Sequence, residues 1–137
     1  MIYAMFAMVL LTFTVAAQLL RLRLKALKAG HVKMSYFRLN LGADIPDKMA
    51  QASRNYSNLF EIPTLFYAAG AMSSALNLDN ITLIVLSWFF VATRVVHSWI
   101  HLTNNNVTRR FSAFIVGNIC ILLIWGQLVW SYSVQRL

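Results

Sequence analysis

Apolar residues in this chain fall into four long runs, with polar residues gathered between them. Residues 1–20 carry no charge, residues 49–76 carry only Arg54 and Glu61, residues 80–102 carry only Arg94, and residues 111–135 carry none. A helix that crosses a membrane needs about 20 predominantly apolar residues. The pattern therefore predicts four spans, at about 1–20, 49–76, 80–102 and 111–135, which nearly exhaust the chain. The expected fold is all-α: one integral membrane domain, residues 1–137, built as a four-helix bundle of antiparallel up-down spans.

Local signals refine these elements. Asp79 or Asn80 suits the N-cap of the third helix and Thr108 that of the fourth, because a short polar side chain can accept a free backbone N–H there. Asn80-Ile-Thr82 and Asn106-Val-Thr108 match the glycosylation tripeptide, but both sit in short turns beside a membrane and read as helix starts. Pro63 removes one backbone donor inside the second helix and frees the carbonyl of Leu59, which predicts a kink next to Glu61. The only long connection, residues 28–47, contains Gly30, Gly42 and Pro46. Residues 41–44 read as a turn, and Asp44 with Pro46 as a helix start. Its basic and aromatic residues suit a strip on the membrane interface that covers a site, and equally a plain connector.

Composition agrees with the pattern. Hydrophobic residues make up 59% of the chain and charged residues 12%, against about 25% charged in a soluble domain. The mean hydropathy is +0.62. The net charge of +8 matters through its placement. Arg21, Arg23, Lys25, Lys28, Lys33, Arg38 and Lys48 lie in the 21–48 connection, and Arg109 and Arg110 in the 103–110 connection. The turn at 77–80 has no basic residue, and the C-terminus has only Arg136. The positive-inside rule puts both basic connections in the cytoplasm and both termini outside. Basic residues follow the first run rather than precede it, and no small-residue cleavage site stands before them, which argues against a cleaved signal peptide. The excess charge serves topology and anionic headgroups of the bilayer. Without aromatic residues interleaved with it on a soluble face, it gives no reason to expect nucleic acid. Cys120 is the one cysteine. It reads as a small packed or lipid-facing residue, and neither a disulfide nor a metal site follows from it.

The polar residues inside the runs carry the chemistry. A charge in a spanning helix costs several kcal/mol on scales that disagree. Arg54, Asn58 and Glu61 follow at i, i+4 and i+7, and Arg94, His97 and His101 at i, i+3 and i+7, so each trio shares a helix face. The short turn between the two helices predicts antiparallel neighbours. In a symmetric hairpin Glu61 is then level with Arg94, Asn58 with His97 and Arg54 with His101, the last nearest the basic end. Such a ladder is either a structural tie between helices or the lining of a water-filled pocket open to the cytoplasm. Six polar groups exceed what one helix pair needs, which favours the pocket. His97 and His101 could chelate one ion, but two arginines nearby oppose a cation and no further ligand sits at the right spacing, so no metal is expected. A proton or ion pathway is a further alternative.

These segments resemble the membrane-associated proteins of eicosanoid and glutathione metabolism. Arg54-Asn-Tyr-Ser-Asn58-Leu-Phe-Glu61-Ile-Pro63 is similar to the family's Arg-x3-Asn-x2-Glu followed by Pro, and Arg94-Val-Val-His97-Ser-Trp-Ile-His101 to its Arg-x2-(His or Tyr)-x3-Tyr. Gln18-Leu-Leu-Arg21-Leu-Arg23 is similar to the basic end of the first helix in prostaglandin-forming members. The resemblance implies a homotrimer that binds glutathione between subunits through Arg21, Arg54, Asn58, Glu61, Arg94 and His97, with His101 at the position of the family's second tyrosine. It implies that an arginine at the start of the fourth helix, Arg109 or Arg110, stabilises the thiolate. The implied activity is that of a transferase or peroxidase acting on lipophilic electrophiles or lipid hydroperoxides. The chemistry fits: several arginines and one glutamate complement two carboxylates and one ammonium, and an arginine lowers the pKa of a nearby thiol. His101 departs from the family's tyrosine and puts the activity and the substrate in question. A non-catalytic lipid- or partner-binding protein of the same fold is the alternative.

Overall fold

The structure is a computed structural model that describes residues 1–39 and 45–135. The expected turn at 41–44, with Asp44, and Arg136 lie outside the described residues. The described chain is helical throughout, without strands. It comprises α1 (Ile2–Lys28), a short α2 (Tyr36–Leu39), α3 (Asp47–Asn58), α4 (Ile62–Ala75), α5 (Ile81–Leu102) and α6 (Val107–Gln135).

Three of these helices, α1, α5 and α6, are long and apolar enough to cross a membrane. At 1.5 Å per residue, the 27 residues of α1 reach about 40 Å, past the end of the apolar run at residue 20. Large apolar side chains such as Phe13, Phe89, Trp99, Leu122 and Trp130 are exposed on them, as lipid-facing surfaces require. The core between the helices is packed by Met8, Val15, Phe66, Leu83, Phe90, Ile124 and Leu128.

The run at 49–76 is not one helix. It breaks at residues 59–61, where Leu59 and Phe60 close two tight turns onto the carbonyls of Tyr56 and Ser57. Glu61 then leaves helical geometry with φ −91° and ψ −97°. Pro63 lies in the first turn of α4, where its missing N–H costs nothing. Proline thus ends one helix and starts another, a stronger effect than the expected kink. Neither piece, of 12 and 14 residues, is long enough to cross a bilayer alone.

The break lets the chain change neighbours. α3 packs against α1 and α5, whereas α4 packs against α1 and α6. α4 meets α5 through Phe66 and Phe90, whose ring centroids lie 4.8 Å apart. The expected hairpin of two closely paired helices is therefore corrected. The most extensive pairing joins α5 to α6.

Polar ties fix both ends. At one end Asp79 accepts from the Met1 ammonium at 3.0 Å and from the Ser73 hydroxyl, and Asn80 donates to Ser131 at 3.2 Å. Asn80 also caps α5, accepting from the Leu83 N–H at 3.0 Å. At the start of α6 the cap is Asn106, which accepts from the Arg109 N–H at 3.0 Å; the expectation of Thr108 is corrected by two residues. At the basic end, Gly30 takes φ 71°, a left-handed value that suits glycine. The chain then folds back so that Val32 packs on Ala26 and Met49, with Tyr36 and Phe37 beside them. The described part of the long connection is thus a packed strap, not a bare connector.

The Ser73 hydroxyl, and behind it the Met1 ammonium, hold the Asp79 carboxyl below its ordinary value. A lowered carboxylate contributes stability above its ordinary value of about 3.9, and loses it as pH falls through the lowered one. Asp79→Asn is therefore expected to lower the thermal midpoint at pH 7, with the gap to the native chain closing toward pH 3. Thermal melts in detergent across that range check this.

Candidate functional site

Arg94 sits in the middle of α5 and is 1% exposed. No carboxylate lies within ion-pair distance of it among the described residues. Its charge is held by aromatic faces and a backbone carbonyl instead. The guanidinium carbon lies 5.2 Å from the centre of the Phe90 ring and 5.5 Å from that of Phe114, each a cation–π contact. One terminal nitrogen donates to the Phe114 carbonyl at 3.3 Å. Gly117 makes the space: a Cβ there would stand 2.1 Å from the same guanidinium.

One and two turns further along α5, His97 and His101 are also buried, 4% and 1% exposed. His97 Nδ1 lies 3.1 Å from the Arg110 carbonyl oxygen, which can only accept, so Nδ1 carries the hydrogen and Nε2 is left bare. His101 Nε2 lies 3.2 Å from a terminal nitrogen of Arg110, which can only donate. His101 is therefore neutral at Nε2, with its hydrogen on Nδ1. The same Arg110 nitrogen donates to Asn105 at 2.8 Å.

The structure thus brings together Arg94, His97, His101 and Arg110. It separates others. Asn58 is half-buried, and Arg21, Arg54, Glu61 and Arg109 are exposed. Glu61 does not face Arg94. The break at 59–61 interrupts the register on which the expected level pairing relied, and α3 turns Asn55 inward instead. Asn55 is fully buried and accepts from Ser98 at 3.2 Å. Among the described residues no hydrogen bond or ion pair joins the two members of any of the three expected rungs.

The cluster is under-satisfied. Arg94 Nε, His97 Nε2, His101 Nδ1 and Asn55 Nδ2 are buried without a hydrogen-bond partner among the described residues. Buried polar atoms are normally paired, so this layer offers three donors and one acceptor to something else. Among the described residues no group of His, Cys, Asp or Glu could hold a metal ion. Asn55, Ser98, Phe114 and Gly117 were not singled out from the sequence. The signal for the first two was their position beside Arg54 and His97 within otherwise apolar runs.

The MAPEG family model matches residues 1–130. The chain belongs to the MAPEG family. Searches of curated proteins and of solved structures returned no match.

Gly117→Ala forces Arg94 out of its seat between the two rings. Overpacking of this kind costs about 1–3 kcal/mol. The expected outcome is a lower thermal midpoint in detergent, and Gly126→Ala, where a Cβ meets open space, is expected to leave it unchanged.

Proposed function

We propose that this MAPEG-family protein is a glutathione-dependent transferase or peroxidase acting within the membrane as a homotrimer. The observation that carries the reading is the buried layer of unpartnered nitrogens beside the Arg110 guanidinium. α3 and α4 together make the fourth crossing of an antiparallel bundle formed by residues 1–137. Both termini face outside, and the 21–48 and 103–110 connections face the cytoplasm.

In this reading Arg54 and Arg94 hold glutathione carboxylates, and His97 and His101 contribute hydrogen bonds from their unpartnered edges. Asn58, Glu61 and Arg21 lie on the outside of one subunit, which is where a site shared between subunits would leave them. Glu61 is then free to pair with the ammonium of glutathione. Between the two candidates for the thiol, Arg110 is favoured over Arg109. It is half-buried in the cluster, against His101, whereas Arg109 is exposed. Bound glutathione supplies a sulfur nucleophile, and an arginine nearby favours its thiolate form.

The same subunit has an apolar groove that suits a lipophilic acceptor. α1 and the broken segment enclose an apolar groove of about 380 Å³, lined by Val9, Phe13, Tyr56, Leu59, Phe60 and Tyr67. It opens at the break, where a continuous helix would leave no gap. His101 supports a second reading, a non-catalytic binder of the same fold, because its ring already engages the guanidinium that would serve the thiol.

Glutathione titrated into the purified protein is expected to bind and to develop the ultraviolet absorbance of a thiolate. Arg110→Ala is expected to lose that absorbance and Arg109→Ala to keep it, while Arg54→Ala weakens binding about tenfold or more, the scale of a lost charge-assisted pair. Absence of binding to the native protein would refute the reading. Binding without thiolate would leave the non-catalytic alternative.

A further inference from the structure

A second cavity lies at the basic end, away from the cluster around His101. The last turns of α1, the turn that follows it and the start of α3 enclose about 460 Å³, with Thr103 at the end of α5 closing one side. Its walls are of two kinds. Leu22, Ala26 and Met49 form an apolar floor, and Lys25, His31 and Lys48 a basic rim, opposed by the single carboxylate of Asp47. The walls are built. Ala26 and Met49 are 4% and 2% exposed and pack with Val32, and the His31 N–H donates to the Ala26 carbonyl at 3.0 Å.

The height of the cavity is set by α1. The apolar run ends at residue 20, and Leu22 to Lys25 lie two to five residues beyond it, about 3–8 Å at 1.5 Å per residue. That is the level of lipid headgroups. One cavity therefore offers basic side chains to a phosphate and apolar ones to a glycerol backbone. A free phosphate would use the rim and leave the floor bare. A zwitterionic headgroup would bring its own ammonium against the lysines.

We propose that this cavity is a binding site for the headgroup of an anionic phospholipid, with the phosphate between Lys25 and Lys48 and the glycerol backbone on the apolar floor. The site does not rest on the glutathione reading, and requires only that α1 lies in a bilayer. Its consequence is an anchor: a lipid seated there ties the end of α1 to the start of α3, the helix that carries Arg54 and Asn58.

The test uses the full chain in mixed micelles of phosphatidylcholine and phosphatidylglycerol, with retained lipid measured by native mass spectrometry. The native protein is expected to retain phosphatidylglycerol over phosphatidylcholine by about thirtyfold, the scale of two lysines near a membrane surface. K25Q/K48Q is expected to lose that preference. K28Q/K33Q removes the same charge from the same strap outside the cavity and is expected to keep it. Equal retention of both lipids by the native protein would overturn the proposal. So would equal loss in both double variants, which would show a diffuse field and no site. Displacement of the lipid by millimolar inorganic phosphate would assign the rim to a free anion and also overturn it. If K25Q/K48Q does not fold, K25Q alone is expected to lower the preference about fivefold, and an unchanged preference overturns the proposal.

Discussion

A buried guanidinium without a carboxylate partner governs how α5 meets α6. Arg94 cannot reach water, and the residues around it supply two aromatic faces, one carbonyl and the space left by Gly117. An arginine at the centre of a membrane helix costs about 2.5–3.5 kcal/mol on insertion scales, so these contacts must be close to offset it. They can be close only if α6 presents Phe114 and Gly117 to α5 at one depth. That register then places the first turn of α6 over the last turns of α5. The Arg110 carbonyl meets His97 and the Arg110 guanidinium meets His101. The cationic cluster is thus a consequence of how Arg94 is seated.

The break at residues 59–61 is the second constraint. It keeps α3 in the groove between α1 and α5, and releases α4 to the side of α6. Asn55 is thereby turned in toward Ser98, while Glu61 is left on the surface. The same interruption opens the groove between α1 and the broken segment. One proline and the tight turns before it therefore decide which polar residues share the buried layer and where an apolar molecule could approach it.

Much of this was legible in the sequence, and the losses have physical causes. Long apolar runs locate α1, α5 and α6, because a spanning helix must be predominantly apolar. Helical spacing put Arg94, His97 and His101 on one face, and they are buried together. The pairing across α3 and α5 failed because it assumed a continuous helix through Pro63, and a break of three residues changes both rotation and neighbour. Counting charges also hid Asn55 and Ser98, which are neutral yet fully engaged. Gly117 could not be read from spacing, since its role is the space it leaves for a side chain on another helix. The basic connections marked one end of the molecule correctly, but the packing of Val32 on Ala26 and Met49 depends on the turn at Gly30.

The claim at the centre is that the buried layer around Arg94, His97, His101 and Arg110 is where glutathione binds. Histidine labelled with 15N and 13C reports it directly, because the chain has three histidines and His31 lies outside the layer. Without glutathione, His97 and His101 should both show the hydrogen on Nδ1. Saturating glutathione should shift the ring signals of both and leave those of His31 unmoved. Unchanged His97 and His101 signals under conditions where glutathione binds would contradict the account.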